Sequence, residues 1–554
     1  MTEAVLPGVL VEVRPEALIV PGAITVGNVG VVGTAAKGPV NVPQLLGSYA
    51  AAVAAFGPYD RWDDGSSDEL TLVRAIEQAY KFGATTVWAV RVASSAAATA
   101  SRILNTGADP CVTLTAASPG SWGNDISVEV KAGAAAAFVT GEEVTGPNYK
   151  LAKSPIVPSA SNRIAVRPAG GGSDRVPVIS YDSPASPTGV RVDTDGTITF
   201  GTKPGTGDKV IASYTADKSQ AATLVVKAGT SAVETYHVVS GDDLVADVNA
   251  SSTLVEASAG AKSASLPEKV TPTPLAGGVN GQAVTDYSDG LAALLTVDAH
   301  LIVAAGQSHA AAASALAAHC DQASADEIKR DRIAIVGTAF SGDSVPRTQS
   351  AYVAKASGHS VNSDRVVLVT PGIRAVDRGQ DPVAEVTLPG SYAAAAIAGM
   401  LAAQPPHISL TNKVLQAGGL EYDFTPAELK QLVLSRALTL EKRQGFRIVR
   451  GITTSTNTAW TQITTRRIVD YAKLGVRSAA TPYIGLLNNE RVRGALKATI
   501  NGFLAGMVED EMLVSYELDV HASREDEIRG RVLADMVIRP TFSIDFIKVT
   551  MFLE

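Results

Sequence analysis

At 554 residues the chain has room for several domains with their own cores and needs neither a disulfide nor a metal to stand. Its formal net charge of −8 argues against nucleic acid or an acidic membrane surface as the main partner. Hydrophobic residues make up 46% and charged residues only 18%, so the surface is rich in Ala, Gly, Ser and Thr, which suits either a chain covered by its neighbours or an Ala-rich coding bias.

The two cysteines, Cys111 and Cys320, have no ligand spacing and form no disulfide framework, so they read as buried thiols. The N-terminus lacks the basic and apolar regions of a signal peptide. The longest uncharged apolar run, Ser391 to Ala403, is too short to span a bilayer. Synthesis and folding in a cytoplasm are therefore expected.

Taken in order, Val9, Val11 and Val13 alternate with Leu10, Glu12 and Arg14 until Pro15 ends the run, a short strand exposed to pairing. Ile24 to Val32 reads as a buried strand and Gly33 to Pro39 as a turn. The glycines at 27, 30 and 33 are spaced GxxGxxG instead of GxGxxG and no helix opens directly after them, so they do not make a phosphate loop. Ser66 to Glu69 has the form of a capping box, Leu72, Val73, Ile76 and Tyr80 share a helical face, and Gly83 stops that helix. Thr85 to Val92 is the next strand, which completes a β, helix, β unit.

From Asn105 to about Lys227 the texture turns to Gly, Pro, Ser, Thr and Val with period-two runs and no convincing helix, as in a small all-β domain inserted into an α/β protein. Within it, Val190 to Phe200 reads as a hairpin closed by Asp195-Gly196 in a type I′ turn, and Lys209 to Tyr214 as another strand. From Leu275 the alternation resumes: strands Leu301 to Gly306, Ile333 to Gly337 and Val366 to Thr370, with helices at Ser308 to Cys320, about Val345 to Ser357, and Ser391 to Ala403. Strands apolar on both faces and separated by helices indicate a covered parallel sheet. An Arg-flanked helix follows from Thr464 to Lys473. A second runs from Asn489 to Met507 with Val492, Leu496, Ile500, Phe503 and Met507 on one stripe, and strands Leu513 to Val520 and Arg531 to Ile538 come after it.

The last stretch, Arg539 to Glu554, is expected to be a strand. Phe542, Ile544 and Phe546 share one face with Ser543 and Asp545 opposite; from Ile547 the phase slips, and Ile547, Val549, Met551 and Leu553 share a face. It reads either as the last strand of the protein's own sheet or, since both termini are sticky, as a strand lent to another chain.

Six blocks carry a resemblance: PGVLVEV (Pro7 to Val13); Gly33 to Gly57, followed by a helix and WAVRV (Trp88 to Val92); PGSWGNDISVEV (Pro119 to Val130); LAGGVNG (Leu275 to Gly281); TRRIVDYAKLGV (Thr465 to Val476); and RPTFSIDFIKVTMFLE (Arg539 to Glu554). In this order they resemble the contractile tail sheath proteins of bacteriophages and related contractile injection systems. The stretch from about Ala132 to Lys227 is where the chain departs from that pattern.

The resemblance implies a multidomain α/β fold: a parallel-sheet, subtilisin-like sheath domain, an inserted all-β domain, and a C-terminal α+β domain with terminal strands donated to neighbours. The expected divisions are an arm at 1–22, the first part of the core at 23–104, a β-rich insertion at 105–274 with its variable domain at about 132–227, the subtilisin-like domain at 275–430, the α+β domain at 431–538 and an arm strand at 539–554. Val9, Leu10, Val11 and Val13 would carry the N-terminal inter-subunit strand; Ile544, Phe546, Ile547, Val549, Met551 and Leu553 would carry the C-terminal one.

The implied function is a sheath subunit that stacks with itself in helical rings around an inner tail tube, in the tail of a virion or a contractile particle. Contraction would drive the tube through a target envelope, for a phage leading to genome delivery. Baseplate and tail terminator proteins are the further partners; nucleic acid contact, membrane insertion and cofactors are not expected. Two rivals remain, an adhesive surface-binding protein and a hydrolase. For the hydrolase, Asp298, His300 and His309 are available, but the nearest nucleophile motif, Gly337 to Ser344, has Ala339 where the active enzymes would show Ser. No Walker motif or H-E-x-x-H appears, so contraction would draw on energy stored in the assembled state.

Overall fold

The computed structural model describes residues 26–552 apart from 64–68, 134–135, 182, 184, 218–221, 230–231, 285 and 341–344. The residues form two compact units, one of Met1–Ala35, Val40–Ser94 and Gln282–Glu554, the other of Ala36–Pro39 and Ser95–Gly281. The second unit therefore runs past the expected limits at 105 and 274 on both sides.

The first unit is built on a parallel sheet of strands Val87–Arg91, Val29–Gly33, Leu301–Ser308, Ile333–Gly337, Val366–Thr370 and Leu438–Lys442, adjacent in that order. Antiparallel edges complete it: Gln44–Leu46 beside Val87–Arg91, and Phe446–Ile448 with Val414–Leu415 beyond Leu438–Lys442. The Leu438–Lys442 strand thus places residues beyond 431 in this sheet, and not in a separate C-terminal domain. The central strands are buried along their whole length, as continuous Val/Ile runs require when both faces are covered.

Val32, Val90, Ile302, Ala334 and Leu368 pack on Leu291, Leu294, Ala313 and Leu316 of helices Ser288–Leu294 and His309–Ser324. Helices Leu72–Lys81 and Gly390–Ala402 lie together and cover the strands from Val29–Gly33 to Val366–Thr370. Glycine makes this close packing possible: a Cβ at Gly337 would collide with the Gly390 carbonyl, so the helix sits directly on the strand end.

The expected elements differ in three places. Leu72–Lys81 starts from Thr71 without a side-chain cap, while the Glu69 carboxylate instead accepts from the Asp63 amide at 2.9 Å; Ser66 lies outside the described residues. The helix expected from about Val345 begins at Gln349, where the Thr348 hydroxyl accepts from the Ala351 amide. The Thr464 to Lys473 helix extends over Ile463–Ala480, and its arginines do not merely flank it. Arg466 and Arg467 are buried, and Arg466 pairs with Asp364 and Asp470 at 2.9 Å each. Asp470 in turn accepts from Arg365, so charge fixes the helix to the amino end of the strand Val366–Thr370. Glu490–Glu509 packs beside it around Leu496, Ile500 and Met507.

The second unit contains two cores. One is shared by the sheet of Ala232–Val238, Ala222–Ala228, Ile126–Ala132 and Val270–Pro274, the sheet of Val255–Ala259, Asp109–Ala116 and Ser101–Thr106, and the helix Gly241–Ser251. That helix lies in the 105–274 region expected to be β-rich, beyond the Asn105 to Lys227 stretch read as free of helix, and its start signal is local: Ser240 caps it and Asp242 and Asp243 stand in its first turn. The other core belongs to strands between Ala136 and Asp217, with Ile164, Val190, Phe200, Val210 and Tyr214 at its centre. The Val190–Val192 and Ile198–Phe200 hairpin closes through Asp193 and Thr197, and only Gly196 has positive φ, +87°. This is a three-residue loop with glycine in the left-handed position instead of a type I′ turn.

Ala132 and Ala222 are Cα partners across neighbouring strands, so the chain leaves for the smaller β module and returns at one place. The variable domain expected at 132–227 overreaches, because Ala222–Ala228 is an inner strand of the other sheet. Joining Ala132 to Ala222 by a two-residue Asn-Gly turn should leave a soluble chain with one cooperative melt for the remainder of this unit. Extending the deletion to Lys227 should abolish that melt, as followed by circular dichroism and calorimetry.

Candidate functional site

The C-terminal segment leaves the antiparallel pair of Leu513–His521 and Leu533–Pro540 and runs to residue 552 without pairing to any described strand. The strand expected over Arg539 to Glu554 is thus formed only at Arg539 and Pro540. A strand exists through its ladder of hydrogen bonds, and among the described residues no strand lies beside this segment.

The alternation read from the sequence is nevertheless present, with the polar side inward. Ser543 and Asp545 turn toward the body, while Phe542, Ile544 and Phe546 are 58%, 77% and 80% exposed. Asp545 accepts hydrogen bonds from Thr411 Oγ1 at 3.1 Å and Gln462 Nε2 at 3.1 Å, and pairs with Arg450 Nε at 2.8 Å. Gln462 also holds the backbone of Ser543, accepting from its amide at 3.0 Å and donating to its carbonyl at 2.9 Å. The Arg450 guanidinium lies 5.3 Å from the Phe546 ring centre. Beyond this clamp Ile547, Val549, Met551 and Phe552 are all at least 75% exposed.

Of the residues expected to carry inter-subunit strands, Ile544, Phe546, Ile547, Val549 and Met551 therefore stand together on one exposed segment. Val9, Leu10, Val11, Val13 and Leu553 lie outside the described residues. The clamp residues Thr411, Arg450 and Gln462 were not legible in the sequence, since their role depends on a contact with Asp545 across 83 or more positions.

The antiparallel pair beside the tail has a complementary deficiency. Tyr516, Leu518, Val520, Met536 and Ile538 pack on the two helices, yet each strand has one partner, so among the described residues both outer edges are free. Two-stranded sheets are marginal alone, and free edges accept further strands.

The residues considered for hydrolysis do not assemble. Asp298 pairs with Arg330 at 2.9 Å, His309 packs on Phe340 and His359, and both His300 and His309 leave Nδ1 without a partner. Among the described residues neither imidazole is hydrogen-bonded to a serine, and no group of three or more His, Cys, Asp or Glu could hold a metal. No described helix is long and apolar enough to cross a membrane.

Burial, followed by the charge of Arg332, pushes His300 and His319 down to about 4. The unfolded imidazole takes its proton near ~6.5, so the unfolded chain binds more protons below that pH. The stability present above pH ~6.5 is then lost as pH falls toward about 4. The melting midpoint should decline across that window, and His319→Gln should flatten the decline. Asp545→Ala should leave the midpoint above pH 7 within a few degrees but markedly speed proteolytic cleavage inside 541–552; unchanged cleavage would mean that the clamp does not hold the tail.

Comparison with protein families matches residues 280–454 to the phage tail sheath protein central domain and residues 455–554 to the phage tail sheath C-terminal domain. Among solved structures, the chain is similar to a sheath tail protein of Listeria innocua at 12% identity and TM-score 0.60, over 95% of each chain. It is also similar to a sheath tail protein of Desulfitobacterium hafniense at 14% identity and TM-score 0.55, over 96% of this chain and 100% of the other. No curated protein matches.

Proposed function

The chain belongs to the contractile tail sheath family, and from that premise we propose that it is the repeating subunit of a helical sheath around an inner tube, held together by exchanged terminal strands. The observation that supports this most directly is the tail itself: an anchored root followed by a run of exposed apolar side chains, beside a two-stranded sheet with free edges. The segment from Ile544 to Leu553 enters a neighbour's sheet, and Val9 to Val13 makes the corresponding exchange at the other end. The parallel sheet with its covering helices is the subtilisin-like body, and the β module between Ala136 and Asp217 faces outward, where nothing has to pack on it. Contraction is a change of lattice with the clamped tails as pivots, and drives the tube into the target envelope. The tube, a baseplate and a tail terminator are the partners in a phage tail or injection particle.

The energetics of one exchanged strand set the character of assembly. Burying Ile547, Val549, Met551 and Leu553 contributes about 6–12 kcal/mol at about 1.5–3 per side chain. Fixing the backbone from Ile547 to Glu554 costs about 8–16 kcal/mol, and backbone hydrogen bonds return about 0.5–1.5 each. One strand alone comes out near zero, so assembly needs several exchanges at once and is steeply cooperative.

Removing residues 547–554, or Val549→Asp, should therefore abolish rods while leaving the melting of the monomer within a few degrees of the full chain. Sedimentation and negative-stain microscopy at matched concentration decide it. Rods from the truncated chain would show that the strand serves its own subunit, and separate particles from the full chain under all conditions would favour the adhesive reading.

A further inference from the structure

A cavity of about 470 Å³ opens between the amino ends of the strands Val29–Gly33, Leu301–Ser308 and Ile333–Gly337 and the helix Ile463–Ala480. Its charges are unevenly settled. Each carboxylate on its wall already has a cation: Asp298 has Arg330, Asp331 has Arg477 at 2.6 Å together with Lys473, and Asp470 has Arg365 and Arg466.

Two of its guanidinium groups are in the opposite position. Arg332, 1% exposed, donates to the carbonyls of Leu294 at 3.0 Å, Val297 at 3.1 Å and Arg330 at 3.3 Å and lies 3.1 Å from His319 Nε2; Arg467, 6% exposed, donates to the carbonyls of Gln404 and Pro405. The carbonyls of Leu294, Val297, Gln404 and Pro405 lie at or beyond the carboxyl ends of the helices Ser288–Leu294 and Gly390–Ala402 and bring only partial negative charge. Among the described residues neither arginine has a carboxylate within salt-bridge distance, so two buried cations are held by carbonyl groups in place of a directly paired anion. Lys329 adds an exposed cation at the wall, and His300 presents a buried Nδ1 with no partner. Leu301 and Leu474 supply apolar wall between them.

We infer that this cavity is a binding site for an oxyanion, a carboxylate or phosphate group, held by Arg467 and Lys329 with His300 as a further hydrogen-bonding partner, while Arg332 contributes its charge from within the wall. The volume falls in the range of small-ligand sites. The group arrives either on a free small molecule or on an acidic side chain of a second copy of this chain. Burial first, and then the charges of Arg332 and Arg467, hold His300 in its neutral form, and an anion bound beside it opposes the effect of those charges.

The test follows the thermal unfolding of the full chain with inorganic phosphate or citrate, against chloride at matched ionic strength. A saturable rise of about 2–5 °C is expected for a free oxyanion. Arg467→Met, which removes a cation, and Ser478→Trp, which fills the cavity and spares the cations, should both abolish it, while Arg467→Lys should retain part of it. Should phosphate and citrate leave the midpoint unchanged, loss of polymer in both Arg467→Met and Ser478→Trp, at wild-type melting of Ser478→Trp, assigns the anion to a neighbouring copy. No shift together with normal polymer yield in both variants overturns the site. The first arm does not depend on the sheath reading, so the two can fail separately.

Discussion

Asp545 can be buried only because Arg450 meets it with a cation and Thr411 and Gln462 meet it with donors, and this pairing determines which way the tail faces. A carboxylate taken out of water without such partners would be expelled or neutralised. With Asp545 and Ser543 drawn inward, the pleat forces Phe542, Ile544 and Phe546 outward, since neighbouring residues of an extended chain point to opposite sides. An apolar face is thereby presented to solvent along the segment that follows the antiparallel pair.

Valine and isoleucine runs such as Ile333–Gly337 and Val366–Thr370 state their burial in composition alone, and the structure pairs them in parallel as expected. The stripe of Leu496, Ile500 and Met507 likewise declared its helix. Legibility ended where the deciding partner lay far along the chain. The period-two pattern of Phe542 to Phe546 was visible, but nothing near it could reveal that its polar side is the buried one. Arg466 and Arg467 read only as flanking the helix: the Asp470 partner of Arg466 is local, but Asp364 and the Gln404 and Pro405 carbonyls come from other elements.

The inserted module was misjudged for a related reason. Ala222–Ala228 has the same texture as the strands before it, and only its register against Ile126–Ala132 assigns it to the other sheet. Texture reports exposure and secondary structure, whereas membership of a core is a property of pairing. The adjacency of Ala132 and Ala222 also explains how a self-contained module is accommodated: it replaces a hairpin turn and leaves the surrounding ladder intact.

The central claim is that the apolar run beyond Asp545 is completed by a neighbouring subunit. A helical cryo-EM reconstruction of self-assembled protein measures this directly, because the path of the main chain from Phe546 to Phe552 can be traced to the sheet it joins. The account predicts a strand bonded to the free edge of a neighbour's Leu513–His521 or Leu533–Pro540 strand, with Asp545 still held by Arg450 of its own chain. A tail folded back onto its own sheet would contradict it.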